Sequence, residues 1–216
     1  MISNTILVNT AYFPPVNYLS LFSTAEKVLI EREENYIKQT CRNRCSIYSA
    51  NGPMNLTVPI LLGSFHKTPV KEIKIDYSKR WQQIHLGALQ SSYKSSPFFE
   101  YYFSSVENVI LRNHRFLLDL NLHSLEVSME ATGIRIPVDY TKEFVTDSGE
   151  PWDYRNRINP KKKDEESLGG FKKYNQVFED RYGFIPGLSI IDLIFNAGPD
   201  AGNIVGLQGF RTLSQE

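Results

Sequence analysis

The stretch Tyr36-Ile-Lys-Gln-Thr-Cys-Arg-Asn-Arg44 places Lys38, Arg42 and Arg44 within nine residues that contain no carboxylate. The same segment supplies the amides of Gln39 and Asn43 and the phenol of Tyr36, then runs on to Asn51-Gly52. A guanidinium offers a planar fork of donors matched to phosphate or carboxylate, so this set suits an anionic, hydroxyl-rich small molecule. A strand edge blunted by positive charge accounts for the same cations without any ligand. His85 is the candidate general base. It follows Trp81 by one helical turn, and imidazole titrates near neutrality, where it can take a proton from an amine or hydroxyl. A hydrogen-bonded core histidine is the competing reading.

Tyr12-Phe13-Pro14-Pro15 stands where a first strand hands over to a first helix. In open α/β sheets ligands gather at the carboxyl ends of strands, and helix N-termini favour anions. Tyr12 is therefore a second catalytic candidate, with Asn9 just before it as a ligand contact; a turn holding two core aromatics explains the residues equally. Asp153-Tyr-Arg155-Asn-Arg157 and Lys161 form a second cation cluster, answered by acids at 164–166, from which Arg155 is taken as a binding candidate. In the spacing Asn113-His114-x-x-x-x-Asp119 an acyltransferase pattern is matched, but no partner motif follows.

These groups need elements to position them. Ile6-Leu-Val8 reads as a strand, Val16–Phe22 as a helix opened by Pro14-Pro15, and Lys27–Ile30 as a second strand, a βαβ start. Cys45–Tyr48 and Leu56–Ile60 flank Asn51-Gly52 as a hairpin whose central pair tolerates positive φ. Glu72–Asp76 alternates like a half-buried strand. Helical periodicity follows from about 78 to 131, with Pro97 opening the second helix and Gly133 closing the third. Ile134–Pro137 is strand-like, 139–173 is a long polar loop, Tyr174–Phe178 resumes helical character, and Ser189 with Asp192 resembles a capping box for Ile190–Phe195. The expected fold is mixed α/β: a small mixed sheet from the βα unit and the hairpin, several helices packed on it, and one domain over 1–216.

Composition narrows the function. The 216 residues are 41% hydrophobic with a formal net charge of zero, which argues against a general nucleic-acid coat or an electrostatic membrane binder. No run approaches a membrane span, and the start lacks a signal-peptide pattern, so a cytoplasmic location is expected. Phosphate-loop, dinucleotide, nucleophile-elbow and zinc-helix signatures are absent. Cys41 and Cys45 are four apart, too far to bridge along a strand and without a nearby histidine for zinc, so both are expected reduced, with no metal site. The cofactor and the oligomeric state stay open. The expected partner is a small anionic or sugar-nucleotide ligand.

Four stretches, in order, resemble the WbqC-like protein family: Asn9–Tyr18, the basic hairpin from Tyr36 to Pro59, the helical set Trp81, His85, Leu89, Tyr93, Pro97-Phe-Phe and Tyr101-Tyr102, and Tyr174–Phe178 with Gly183–Pro199. The family's Gln-Pro opening is here Asn9-Thr10, and its Gly before Tyr18 is Asn17. The resemblance implies a place in surface-polysaccharide (O-antigen) biosynthesis and a suggested glycine-transferase role; it carries over no catalytic residue. The resulting expectation is a transferase that N-acylates or aminoacylates an amino-sugar or sugar nucleotide, with a non-catalytic binding or scaffold protein as the alternative. Lys38, Arg42 and Arg44 would hold phosphates, His85 would deprotonate the amine, and Tyr12 and Asn43 would orient the sugar.

Overall fold

The computed structural model describes residues 4–61, 67–144, 146, 152–155, 157 and 172–207. Strand β1 (Thr5–Asn9) leads through helix α1 (Val16–Phe22) to strand β2 (Lys27–Glu31), and the two strands pair in parallel from Thr5↔Lys27 to Asn9↔Glu31. This is the βαβ start read from the sequence. Ile6, Leu7 and Val8 are all buried, the near-continuous apolar run that a parallel strand covered on both faces requires. Helix α1 is buried on every side.

After β2 the chain makes an antiparallel hairpin of β3 (Arg44–Ser49) and β4 (Gly52–Thr57). The hairpin is one residue offset from expectation. Gly52 is paired with Ser49 and takes the positive φ of 93°, so the two linking residues are Ala50 and Asn51. Ser49 Oγ fixes the turn by accepting from Asn51 N–H at 3.3 Å and donating to Gly52 O at 2.8 Å. Residues 72–76 do not form a strand. A 3₁₀ turn covers Val70–Glu72, and only single bridges, Ile60↔Ile75 and Lys74↔Phe116, follow. The alternation survives, with Ile73 and Ile75 buried, because each residue still meets the core from one side.

Three helices come next: α2 (Trp81–Tyr93), α3 (Phe99–Leu111) and α4 (Leu117–Thr132). Gly133 closes α4 in the left-handed region (φ 69°), with Ile134 N–H bonded to Met129 O, as its sequence position implied. Strand β5 (Val138–Tyr140) then adds in parallel to β2, just beyond the Ile134–Pro137 segment read as a strand; Pro137 has no N–H, and only its carbonyl joins the sheet edge, to Val28 N–H. The hairpin and all three helices thus lie inside one long crossover between β2 and β5. The α/β expectation holds, with the βα unit and the hairpin forming two sheets. Part of the expected polar loop is structured: Leu7 N–H donates to Trp152 O and Tyr154 N–H to Leu7 O, which extends the sheet along the far edge of β1.

The C-terminal part brings α5 (Glu179–Tyr182), α6 (Ile190–Ala197) and α7 (Ala201–Leu207). Tyr174–Phe178 is not helical, because the Tyr174 and Gln176 side chains are drawn to Asp192. Where α7 meets the end of α4, a Cβ on Gly202 would sit 2.2 Å from Thr132 O, so only glycine fits. Gly202→Ala is expected to destabilise by about 1–3 kcal/mol through forced displacement. By contrast Gly87→Ala, in an open helical position with nothing within 4 Å, should stabilise by about 0.5–1 kcal/mol. Urea denaturation of both variants checks the pair of signs.

Candidate functional site

The turn between β1 and α1 is built under strain. Phe13 takes φ 36°, a left-handed conformation uncommon for a bulky side chain, immediately before Pro14. It is held from both sides: its N–H donates to Ser124 Oγ on α4 at 3.1 Å, and its carbonyl accepts from Ser189 Oγ at the start of α6 at 2.8 Å. Val16 N–H to Leu188 O and Ile190 N–H to Pro14 O tie the turn to the C-terminal segment, and Ser189 N–H bonds Ser46 O on β3. The turn thereby aims Tyr12 at α2.

Tyr12 Oη lies 3.0 Å from His85 Nδ1, and the two residues, 73 apart in sequence, are buried together. On the other side of the ring, Nε2 is 3.3 Å from Thr57 O at the end of β4. A carbonyl only accepts, so this contact puts the imidazole proton on Nε2 and leaves Nδ1 to accept from the phenol. Burial pushes the His85 pKa down to about 4, so the ring is neutral throughout the neutral range. Burial also raises Tyr12 well above the usual phenol value. Thr57 connects the pair to the surface: its Oγ1 accepts from Arg44 Nε at 3.2 Å. Arg44 is half-buried and Lys38 exposed, and neither makes an ion pair among the described residues. Tyr36 is half-buried beside them, its pKa pushed up to about 12 by burial against the opposing field of Arg42 and Arg44.

Arg42 and Arg155 are not free to grip a phosphate. The Arg42 guanidinium is buried and donates to both oxygens of Glu34, at 2.7 Å through Nε, and again through Nη2. Arg155 is buried too; it forks onto Asp153 and reaches Glu31 Oε2 at 3.0 Å. The physical reason is desolvation: a guanidinium this far from water is kept only by carboxylates in contact. Asn43 is buried as well, with Nδ2 on Val58 O and Oδ1 without a partner among the described residues, and Asn9 is buried at the end of β1. Sequence reasoning missed Glu31, Glu34 and Asp153. A signal existed in Glu31, a carboxylate ending an otherwise apolar strand, but its partner lies 124 residues away. The paired charges fill the carboxyl end of the parallel sheet, where a ligand would lie in an open α/β fold, with side chain to side chain bonds. Among the described residues no group of three or more His, Cys, Asp or Glu is placed to hold a metal ion. Cys41 and Cys45 are free and buried, and burial pushes the Cys41 thiol up to about 11.

The sequence profile of the WbqC-like protein family matches residues 10–159. The chain belongs to the WbqC-like protein family. It is also 25% identical over 222 residues to the uncharacterised protein Rv1507c of Mycobacterium tuberculosis, covering 90% of this chain and 94% of the relative. No solved structure matches it. The matched stretch contains Tyr12, His85, Arg44 and both buried arginines, whereas Ser189, which holds the Phe13 turn, and Asp192 fall beyond it. No helix of the described residues is long and apolar enough to cross a membrane.

Asp192 is a further residue that local pattern misread in this WbqC-like chain. Ser189 does cap α6, accepting from Ile191 N–H, but the Asp192 carboxylate turns into the core. It accepts from Tyr93 Oη and Tyr174 Oη, both at 2.7 Å, and from Gln176 Nε2 at 3.1 Å, while Tyr93 Oη takes Tyr48 N–H. Burial outweighs these three donors and raises its pKa to about 6.

The two buried groups predict opposite pH effects. A histidine whose folded pKa lies below its unfolded value near 6.5 contributes stability that is full above pH 6.5 and lost as pH falls toward 4, about 3 kcal/mol in all. An aspartate raised from 3.8 to about 6 binds its proton more tightly when folded, so its contribution grows by about 3 kcal/mol as pH falls through that window. In denaturant titrations from pH 7.5 to 4.5, His85→Gln should therefore close its deficit relative to the parent protein, and Asp192→Asn should fall further behind.

Proposed function

We propose that this protein is a transferase of surface-polysaccharide (O-antigen-type) assembly, N-acylating or aminoacylating an amino-sugar or sugar nucleotide, with a glycyl group as the transferred unit. The observation that carries the reading is the Tyr12–His85 hydrogen bond, one contact behind Thr57 and Arg44. Family membership supports the pathway assignment. Arg44 and Lys38 would receive the ligand's anionic group at the hairpin edge, with Tyr36 beside them.

In this reading the ligand opens the weaker of the two His85 contacts, the 3.3 Å one to Thr57 O. Tyr12 Oη can donate to Nδ1 or accept from it, so the ring proton can move to Nδ1 and leave the Nε2 lone pair facing the opening. An anion held by Arg44 raises the histidine pKa from its depressed value, so the base gains strength only with substrate bound. The amine nitrogen then bonds to the carbonyl carbon of an activated acyl donor, its proton passes to Nε2, and the donor's leaving group departs with the bond electrons.

A specific observation favours a second reading, ligand binding without chemistry: both ring nitrogens of His85 are engaged and its imidazole is a weak base as it stands. One set of measurements separates the two. A thermal-shift screen of sugar nucleotides and acyl thioesters finds the ligand, since saturation at 100 times the dissociation constant adds about 2.7 kcal/mol. Arg44→Ala should then weaken binding by about 1.5–3 kcal/mol, and Arg44→Lys should restore charge but not the fork. His85→Asn should abolish turnover while affinity stays within a few-fold. Tight, Arg44-dependent binding with no turnover in the parent protein would establish the binding reading instead. Affinity unchanged in Arg44→Ala would remove the hairpin edge from the site.

A further inference from the structure

A separate basin lies between the start of α2 and the α3–α4 connection, lined by Tyr77, Lys79, Arg80, Gln82, Gln83, Asn113, His114 and Arg115. Its charge is one-sided. Lys79, Arg80 and Arg115 are exposed and make no ion pair among the described residues, and no carboxylate lines the basin. Elsewhere in this neutral chain Lys27, Arg32, Arg42, Lys71 and Arg155 all have acidic partners. Two acids stand near the basin without lining it: Asp76 turns its carboxylate to Ser78 N–H while its field reaches Lys79, and Asp119, on the first turn of α4, acts on His114.

The helix that opens at the basin adds to this positive potential. Helix α2, thirteen residues long, begins without a side-chain cap and with no acid in its first turn, so its amide N–H groups add positive potential at the basin wall. The rim is held by its own bonds: Gln82 Nε2 donates to Ile110 O at 2.7 Å and meets Asn113 Oδ1 at 3.5 Å, and Tyr77 Oη donates to His114 O at 2.8 Å. His114 Nε2 meets His123 Nδ1 at 3.2 Å behind that rim.

We infer that this basin binds the phosphate or pyrophosphate group of a phosphorylated ligand, with Arg80 and Arg115 as its two gripping side chains and Lys79 as the supporting charge. The half-exposed Tyr77 ring offers a flat apolar face for whatever the phosphate carries. The site is distinct from the Arg44 edge and does not depend on the transferase reading.

The test is calorimetric titration of the full chain with inorganic pyrophosphate at low salt. Saturable binding is expected, weakened at least about tenfold in the Arg80→Ala/Arg115→Ala double variant and within about twofold of the parent in Arg44→Ala. Both arginines are exposed, so an unchanged thermal melt should accompany the loss. Repeating with uridine diphosphate and with phosphatidylglycerol vesicles identifies the source. Tighter binding of the nucleotide assigns a soluble phosphorylated ligand, and vesicle sedimentation lost in the double variant assigns a lipid headgroup. Absence of saturable binding, or binding unaffected by the double variant, overturns the inference. Binding lost in Arg44→Ala alone would move the anion to the hairpin edge and leave the proposed function standing.

Discussion

The constraint on which the structure turns is the left-handed residue Phe13. A bulky side chain held at φ 36° costs of order 1–3 kcal/mol, and the fold supplies that from surrounding bonds. Ser124 on α4 and Ser189 at the head of α6 clasp the peptide groups on either side of it, and Ser189 also caps its own helix through Ile191 N–H. Because Ser189 N–H reaches Ser46 O, the same residue ties the turn to the hairpin. The βα unit, the hairpin, α4 and α6 therefore meet at one strained residue. Tyr12 is aimed by the turn and not by a regular element, which makes its contact with His85 a product of tertiary structure.

Much of this was legible in the sequence, for reasons that can be stated locally. The parallel start follows from an apolar run, a Pro-Pro turn and a second apolar run. The end of α4 follows from a glycine that alone takes left-handed backbone without cost. The hairpin follows from Asn51-Gly52, although the register slipped by one because Ser49 Oγ, a side-chain effect, decides which residue pairs with Gly52. Even the meeting of Tyr12 with His85 could be anticipated only as two separate candidates; nothing in either segment fixes the distance between them.

What was not legible is non-local charge. Arg42 looked like a ligand cation because its nine-residue neighbourhood holds no acid, yet Glu34 lies eight residues away and the intervening chain folds back to bring it into contact. Arg155 looked the same, and its partners are Asp153, visible two residues before it, and Glu31, 124 residues earlier. Asp192 sat at a plausible capping position, but two phenols from Tyr93 and Tyr174 outbid the helix terminus for its carboxylate. In each case the winning interaction pairs a group that is buried, and burial is a property of the whole fold.

This distinction sorts the cations by use. A charge removed from water must have its counter-charge in contact, since leaving one member alone costs about 3–5 kcal/mol; Arg42 and Arg155 meet that requirement, Arg42 closing the segment at 34–42 on itself through Glu34 and Arg155 joining the 152–155 loop to Glu31 at the end of β2. A charge left in water carries no such obligation. Lys38, Lys79, Arg80 and Arg115 are all of this second kind, with Arg44 between the two classes, half-buried, bonded to the Thr57 hydroxyl and in no ion pair among the described residues. Half-burial without a counter-charge is the costly intermediate state, and an anionic ligand relieves it. That is why Arg44, among the three cations of the original cluster, is the one we propose takes an anionic partner.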